Sequence, residues 1–261
     1  VIFLFMLAVF DLWVGVSNDA VNFLNSAIGA KAAKFRTIMI IAAIGIFCGA
    51  TMSSGMMDIA RHGIFRPEQF FFDELMCIFL AVMVTDIILL DIFNSLGLPT
   101  STTVSMVFSL LGGTSGLTIV KLAHDTTGLS IADLMNTEKA LSVIIAIFVS
   151  VAIAFFFGTI VQFLSRLLFT FNYKSHLKWK IGLFGGVAAT AICYFMLVKG
   201  IRDMSFMTDD MRAYIDGHSM TFIVGGLIIF TVLMQILHWL KVDVFKVVVL
   251  LGTFALAMSF A

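Results

Sequence analysis

Residues 75–103 read LMCIFLAVMVTDIILLDIFNSLGLPTSTT. Leu75–Phe93 is apolar apart from Thr85, Asp86 and Asp91, and a run of roughly 20 such residues is what a helix needs to cross the hydrocarbon of a bilayer. A glycine, a proline and four consecutive hydroxyl residues then intervene before a second apolar run opens at Val104. Gly97 and Pro99 should stop the first helix, because proline has no N–H to donate and its ring clashes with the preceding turn. Ser101 or Thr102 is placed to cap the helix that restarts. A chain broken between two membrane runs survives only where its freed backbone lines a cavity or is buried in protein. A helix N-terminus at such depth offers unbonded N–H groups and the positive end of the helix dipole, which suits an anion. The same spacing also fits an extramembrane turn capped by a hydroxyl.

The rest of the chain has the same character. Of its 261 residues, 61% are hydrophobic and 12% are charged, whereas globular chains carry about a quarter charged. A water-soluble enzyme is therefore excluded. Sixteen basic residues balance sixteen acidic ones, so no basic surface for nucleic acid is expected. Cys48, Cys77 and Cys193 each lie in an apolar run and form neither a disulfide framework nor a metal-binding pattern. Apolar runs fall at Val1–Val16, Thr37–Ala60, Leu75–Phe93, Val104–Ala123, Ala140–Leu164, Ile181–Val198, Met220–Leu240 and Phe245–Ala261. Their continuity argues for helices over the alternating strands of a barrel. The fold class is thus an all-α integral membrane protein of about seven to eight spans, with broken or re-entrant segments.

The connections carry most of the charge. Lys31, Lys34, Arg36, Arg166, Lys174, Lys178, Lys180, Lys241 and Lys246 fall on one side. Arg61, Arg66, Lys121, Lys139, Lys199, Arg202 and Arg212 fall on the other. This near balance leaves the orientation open under the positive-inside rule. Ser130 and Thr137 are offered as N-caps, and Met204–Gly217 reads as a solvated polar loop. His62, His124, His176, His218 and His238 lie near helix ends without metal-ligand spacing.

A second polar cluster follows the first apolar run: Asp11, Gly15, Asn18, Asp19, Asn22, Asn25, Ser26 and Gly29. At 100° per residue all but Asp19 fall in one stripe, and Asp19 sits at its edge. Carboxylate and amide oxygens suit a hard cation, and amide N–H groups can donate to an anion. The bland alternative is that these side chains hydrogen-bond to neighbouring helices. Asp86, inside a membrane run, could be an ion ligand, a proton carrier or a helix-pairing group. The two clusters together describe a cation-plus-anion site assembled from two broken membrane segments, as in secondary transporters.

Asn18-Asp19-x-x-Asn22 followed by Gly97-Leu98-Pro99-Thr100-Ser101-Thr102-Thr103 resembles the inorganic phosphate transporter family. That family carries G-A-N-D-x-x-N-A in each of two inverted halves, and a G-x-P-x-S-T-T-H segment. Here Val16-Ser17 stands for the Gly-Ala, Phe23 for the final Ala and Val104 for the His. The resemblance implies cation-coupled symport of inorganic phosphate by alternating access, with no enzymatic activity. Candidate phosphate-binding residues are Ser101, Thr102, Thr103, Asn18 and Asn22. Candidate cation-binding residues are Asp19, Asp86, Asp91 and Asn94. No cofactor is expected beyond the coupling ion, sodium or a proton. That ion would offset the anion's charge, since the lysines that fall inside the runs, Lys121 and Lys246, lie at their ends.

The implied partners are phosphate, sodium and the lipid bilayer, with a homodimer at full length, in the plasma (inner) membrane of a bacterium. One signature copy is present. Residues 1–123 therefore read as a first-repeat transport core, and 124–261 as scaffold helices leading toward a second repeat. The competing readings are a sulfate permease, a passive anion channel, and a membrane aspartyl protease using Asp86 and Asp91.

Overall fold

The computed structural model describes residues 2–52, 66–124, 130–169, 180–201 and 207–260. Arg61, His62, Lys174, His176, Lys178 and Arg202, which enter the charge and histidine readings, lie outside the described residues. Those residues form α1 (Ile2–Gly29), α2 (Phe35–Met52), α3 (Phe72–Ser95), α4 (Thr102–His124), α5 (Ile131–Leu134) and α6 (Thr137–Phe169). They continue with α7 (Lys180–Phe195), α8 (Asp209–Gly217), α9 (Ser219–Trp239) and α10 (Val244–Phe260). Six of the helices are long and apolar enough to cross a membrane, and α2 and α10 are shorter apolar helices. The all-α expectation and its approximate span count hold. Large apolar side chains such as Phe148, Phe155 and Phe163 on α6 are exposed, which suits a lipid surrounding rather than water.

One expected break is absent. The Asn-Asp cluster lies within α1, a continuous helix of 28 residues. That segment has no proline, and its polar side chains reach sideways to other elements, so the backbone ladder is undisturbed. The second break is present between α3 and α4. Two smaller expectations also change. Asn136, not Thr137, caps α6 by accepting from the Lys139 N–H at 3.2 Å. The polar stretch ending at Gly217 contains α8, capped by the Thr208 hydroxyl, with Asp209 and Asp210 in its first turn where the dipole favours acids. Ser130 does sit at the start of α5 as expected. Its N–H and hydroxyl both donate to Asp133, which holds that exposed carboxyl below the usual carboxylate range.

The chain divides into two compact units, Val1–Asn22 with Gly55–Phe155, and Phe23–Ser54 with Phe156–Ala261. In the first unit α3 packs on α4 over a core of Phe70, Ile78, Val82, Val107, Leu110 and Leu134. Lys121 fastens these two helices. Its ammonium donates to the Gln69 carbonyl and pairs with Glu74, both at 2.7 Å, and it lies over the Phe70 and Phe71 rings. Because Glu74 also accepts from the Phe71 N–H at 2.7 Å, one carboxylate both starts α3 and ties it to α4.

In the second unit α7 packs on α9 and α10, and α2 packs on α10. These contacts rely on small residues, as membrane helix pairs do when no hydrophobic force draws them together. A Cβ at Gly45 of α2 would meet the Phe254 carbonyl at 2.7 Å, and one at Gly186 of α7 would meet the Thr231 backbone at 2.6 Å.

Candidate functional site

Three helices end in the same hydrogen-bonded pattern. After α3, the Gly97 N–H reaches Asn94 O and the Leu98 N–H reaches Phe93 O, a Schellman cap with its left-handed residue at Gly97, φ +67°. α1 and α9 close likewise, with lysines 31 and 241 at positive φ. Only at Gly97 is the strain-free residue used, and there the chain must leave the helix and turn into the next one within a few residues. A Cβ at Gly97 would touch nothing within 4 Å, so the demand is purely one of backbone conformation. Gly97→Ala is expected to destabilise the protein by about 1–2 kcal/mol, read as a lower thermal midpoint in detergent with an unchanged helical signal.

The turn that follows is held by side chains from α1. Asn18 is buried, and both ends of its amide are engaged. Its N–H₂ donates to Asn94 Oδ1 at 2.8 Å and to the Leu98 carbonyl at 3.3 Å, while its oxygen accepts from the Thr100 N–H at 2.7 Å. Asn94 in turn donates to the Val14 carbonyl at 3.2 Å. Backbone groups freed by Pro99 and Gly97 thus find partners in the protein, as buried backbone polar groups require. Ser101 caps α4: its hydroxyl accepts from the Val104 N–H at 3.4 Å and its carbonyl from the Ser105 N–H. This is the capping role expected from the sequence.

Two buried carboxylates lie beside the restarted helix. Thr102 Oγ1 donates to Asp19 Oδ2 at 2.6 Å. Asp19 is only 7% exposed, yet its other oxygen is buried with no hydrogen-bond partner. Asn22 on the next turn is exposed and neighbours the Asp19 carboxyl. Further along α4, the Ser105 hydroxyl donates to Asp86 of α3. The Asp11 carboxyl of α1 stands against Asp86, with one of its own oxygens buried and unpartnered. Leaving such oxygens bare in an apolar surrounding is costly. A cation or a shared proton would remove that cost.

The expected candidates are therefore not all in one place. Asn18, Asp19, Asn94 and Thr102 come together around the α3–α4 turn, whereas Asp86 sits with Asp11 and Ser105. Thr103 and Asp91 are exposed. Asp86 is buried, so Asp86 and Asp91 do not form a dyad around one water. Ser105 was not singled out in the sequence, although it follows Ser101 by one helical turn and lies on the same face. The hydroxyl residues Thr85, Thr100, Ser105 and Ser109 help line a cavity of about 680 Å³ between α3 and α4.

Helices long and apolar enough to span a membrane, a tight turn between two of them and buried carboxylates beside that turn are features shared with secondary transporters. The family profile described as "Phosphate transporter family" matches residues 15–261. The chain belongs to that family.

Among curated proteins it resembles "Putative phosphate permease PF1020" of Pyrococcus furiosus. Identity is 29% over 223 residues, which cover 83% of this chain and 51% of that relative. Among solved structures it shares the fold of a chain described as "The sodium-dependent phosphate transporter". There the TM-score is 0.62 at 20% identity, over 95% of this chain and 59% of the other. The chain thus spans about half the length of the curated relative it matches.

Proposed function

We infer that this protein carries inorganic phosphate across a membrane, coupled to a cation, most simply sodium, and works by alternating access. The observation that carries the reading is the buried, half-satisfied Asp19 carboxylate beside the N-terminus of α4. Its free oxygen is a hard ligand for sodium. The first turn of α4 offers backbone N–H groups outside its own ladder, together with the positive end of the helix dipole. An anion next to a cation at Asp19 needs no lysine or arginine to neutralise it. Ser101 and Thr103 add hydroxyls able to donate to and accept from hydrogen phosphate. Asn18 and Asn94 position this turn, and Asn22 stands next to Asp19. Support comes also from the family and from the name of the structural neighbour.

A second reading, proton coupling, draws on Asp11 and Asp86. Two facing carboxyl groups in an apolar region are stable when they share a proton or a cation. The reading is tested by uptake of labelled phosphate into proteoliposomes containing the protein at the full length its gene encodes. An inward sodium gradient is expected to drive accumulation, and excess sulfate to leave it unchanged. Accumulation that follows a proton gradient alone would move the coupling to the Asp11–Asp86 pair. Flux that needs neither gradient would identify a passive channel and refute coupled transport.

A further inference from the structure

The second unit contains a cavity of about 480 Å³ where the end of α6 meets the starts of α7 and α10. Arg166, in the last turn of α6, and Lys246, in the first turn of α10, stand in its wall. Both are exposed, and among the described residues neither has an ion-pair partner. Asp243 also stands in the wall, but its carboxylate is turned to the backbone, accepting from the Lys246 N–H at 3.4 Å to cap α10. The same cavity is lined by an apolar patch of three aromatic rings. Phe169, Phe184 and Phe245 form a closed triangle with centroid separations of 5.0, 5.4 and 5.6 Å. Leu167 and Leu168, beside Arg166, are exposed.

α6 and α7 are candidate spans, so their ends lie where hydrocarbon gives way to headgroups. A site there lined by two cations and by aromatic rings is amphipathic in the way a phospholipid is. We propose that this cavity binds an anionic phospholipid, with its phosphate between Arg166 and Lys246 and its first methylenes on the phenylalanine patch. Free inorganic phosphate shares the anionic chemistry but has nothing to place on three phenyl rings, which would only strip its water. A zwitterionic lipid would bring its own cation to a wall that already holds two.

Native mass spectrometry of the solubilised full-length protein, titrated with phosphatidylglycerol or phosphatidylcholine, tests the site. Juxtamembrane cations contribute to anionic-lipid binding in a roughly additive way, so Arg166→Gln with Lys246→Gln is expected to weaken phosphatidylglycerol binding about thirtyfold. Phosphatidylcholine binding should stay unchanged. Asp243→Asn keeps an amide able to cap α10 and removes the opposing charge, so it should tighten phosphatidylglycerol binding about fivefold. A double variant that binds phosphatidylglycerol as the parent does would overturn the proposal. So would an equal loss of both lipids, an Asp243→Asn protein with no gain, or displacement of the lipid by excess inorganic phosphate.

Discussion

Asp19→Asn is expected to reduce sodium-driven phosphate uptake about a hundredfold, the equivalent of about 2.7 kcal/mol. The substitution removes charge and little else. Asparagine has the same shape and still accepts the 2.6 Å hydrogen bond from Thr102, so α4 should start where it does now. What is lost is the full negative charge on the oxygen that has no protein partner. A sodium ion in an apolar surrounding depends on that charge to offset its lost hydration, and in the proposed mechanism phosphate depends on the sodium. The measurement is initial uptake in proteoliposomes against sodium concentration, with protein amount and thermal midpoint checked alongside. Uptake that keeps the parental rate and sodium dependence would remove Asp19 from the coupling mechanism, and with it the main support for the cation reading.

Gly186→Ile is expected to prevent the second unit from assembling, and Gly186→Ala to cost about 3 kcal/mol or more. The reason is distance. A Cβ at this position would lie 2.6 Å from Thr231 Cα and 2.7 Å from Thr231 N, and neither backbone atom can move without moving all of α9. Gly182 faces α9 as well, but there Gln235 Oε1 at 2.5 Å can rotate away and only Gln235 Cβ, at 2.9 Å, forces a shift of a few tenths of an ångström, so alanine should cost something but less than at Gly186. Gly158 of α6 supplies the control. Nothing lies within 4 Å of a Cβ there, and alanine in an open helical position should be neutral or stabilising by up to about 1 kcal/mol. Thermal unfolding of the three alanine variants in detergent should rank Gly158, Gly182 and Gly186 from most to least stable. A Gly186→Ala protein as stable as the parent would mean that α7 and α9 are not packed this closely.

The membrane-spanning helices were legible because hydrocarbon imposes one strong rule, that long runs of apolar side chains must form structures with no exposed backbone polar groups. The break after α3 was equally legible, since Gly97 and Pro99 act on the backbone through local sterics alone. The continuous course of α1 is not legible in the sequence, for the opposite reason. A cluster of asparagine and aspartate signals polarity, but whether it interrupts a helix depends on where those side chains find partners. Asn18 finds them 76 to 82 residues along the chain, in Asn94, Leu98 and Thr100, and no local pattern announces that. The pairing of Asp86 with Asp11, not with Asp91, has the same cause: it joins two helices through space, whereas five residues along one helix turn the side chains to different faces.

The sequence by itself determined that this chain is a bundle of membrane helices with a capped restart at Ser101, and it pointed to the family through two motifs. Hydropathy, proline and hydroxyl caps act within a turn or two of the chain, so their consequences can be read along it. Only the tertiary structure decided which polar residues are engaged with one another and which keep an oxygen bare. That division separates Asn18, whose amide is taken up in holding the turn, from Asp19 beside it, whose second oxygen is buried without a hydrogen-bond partner. It depends on hydrogen bonds between segments far apart in the chain, and their geometry exists only once the helices have packed.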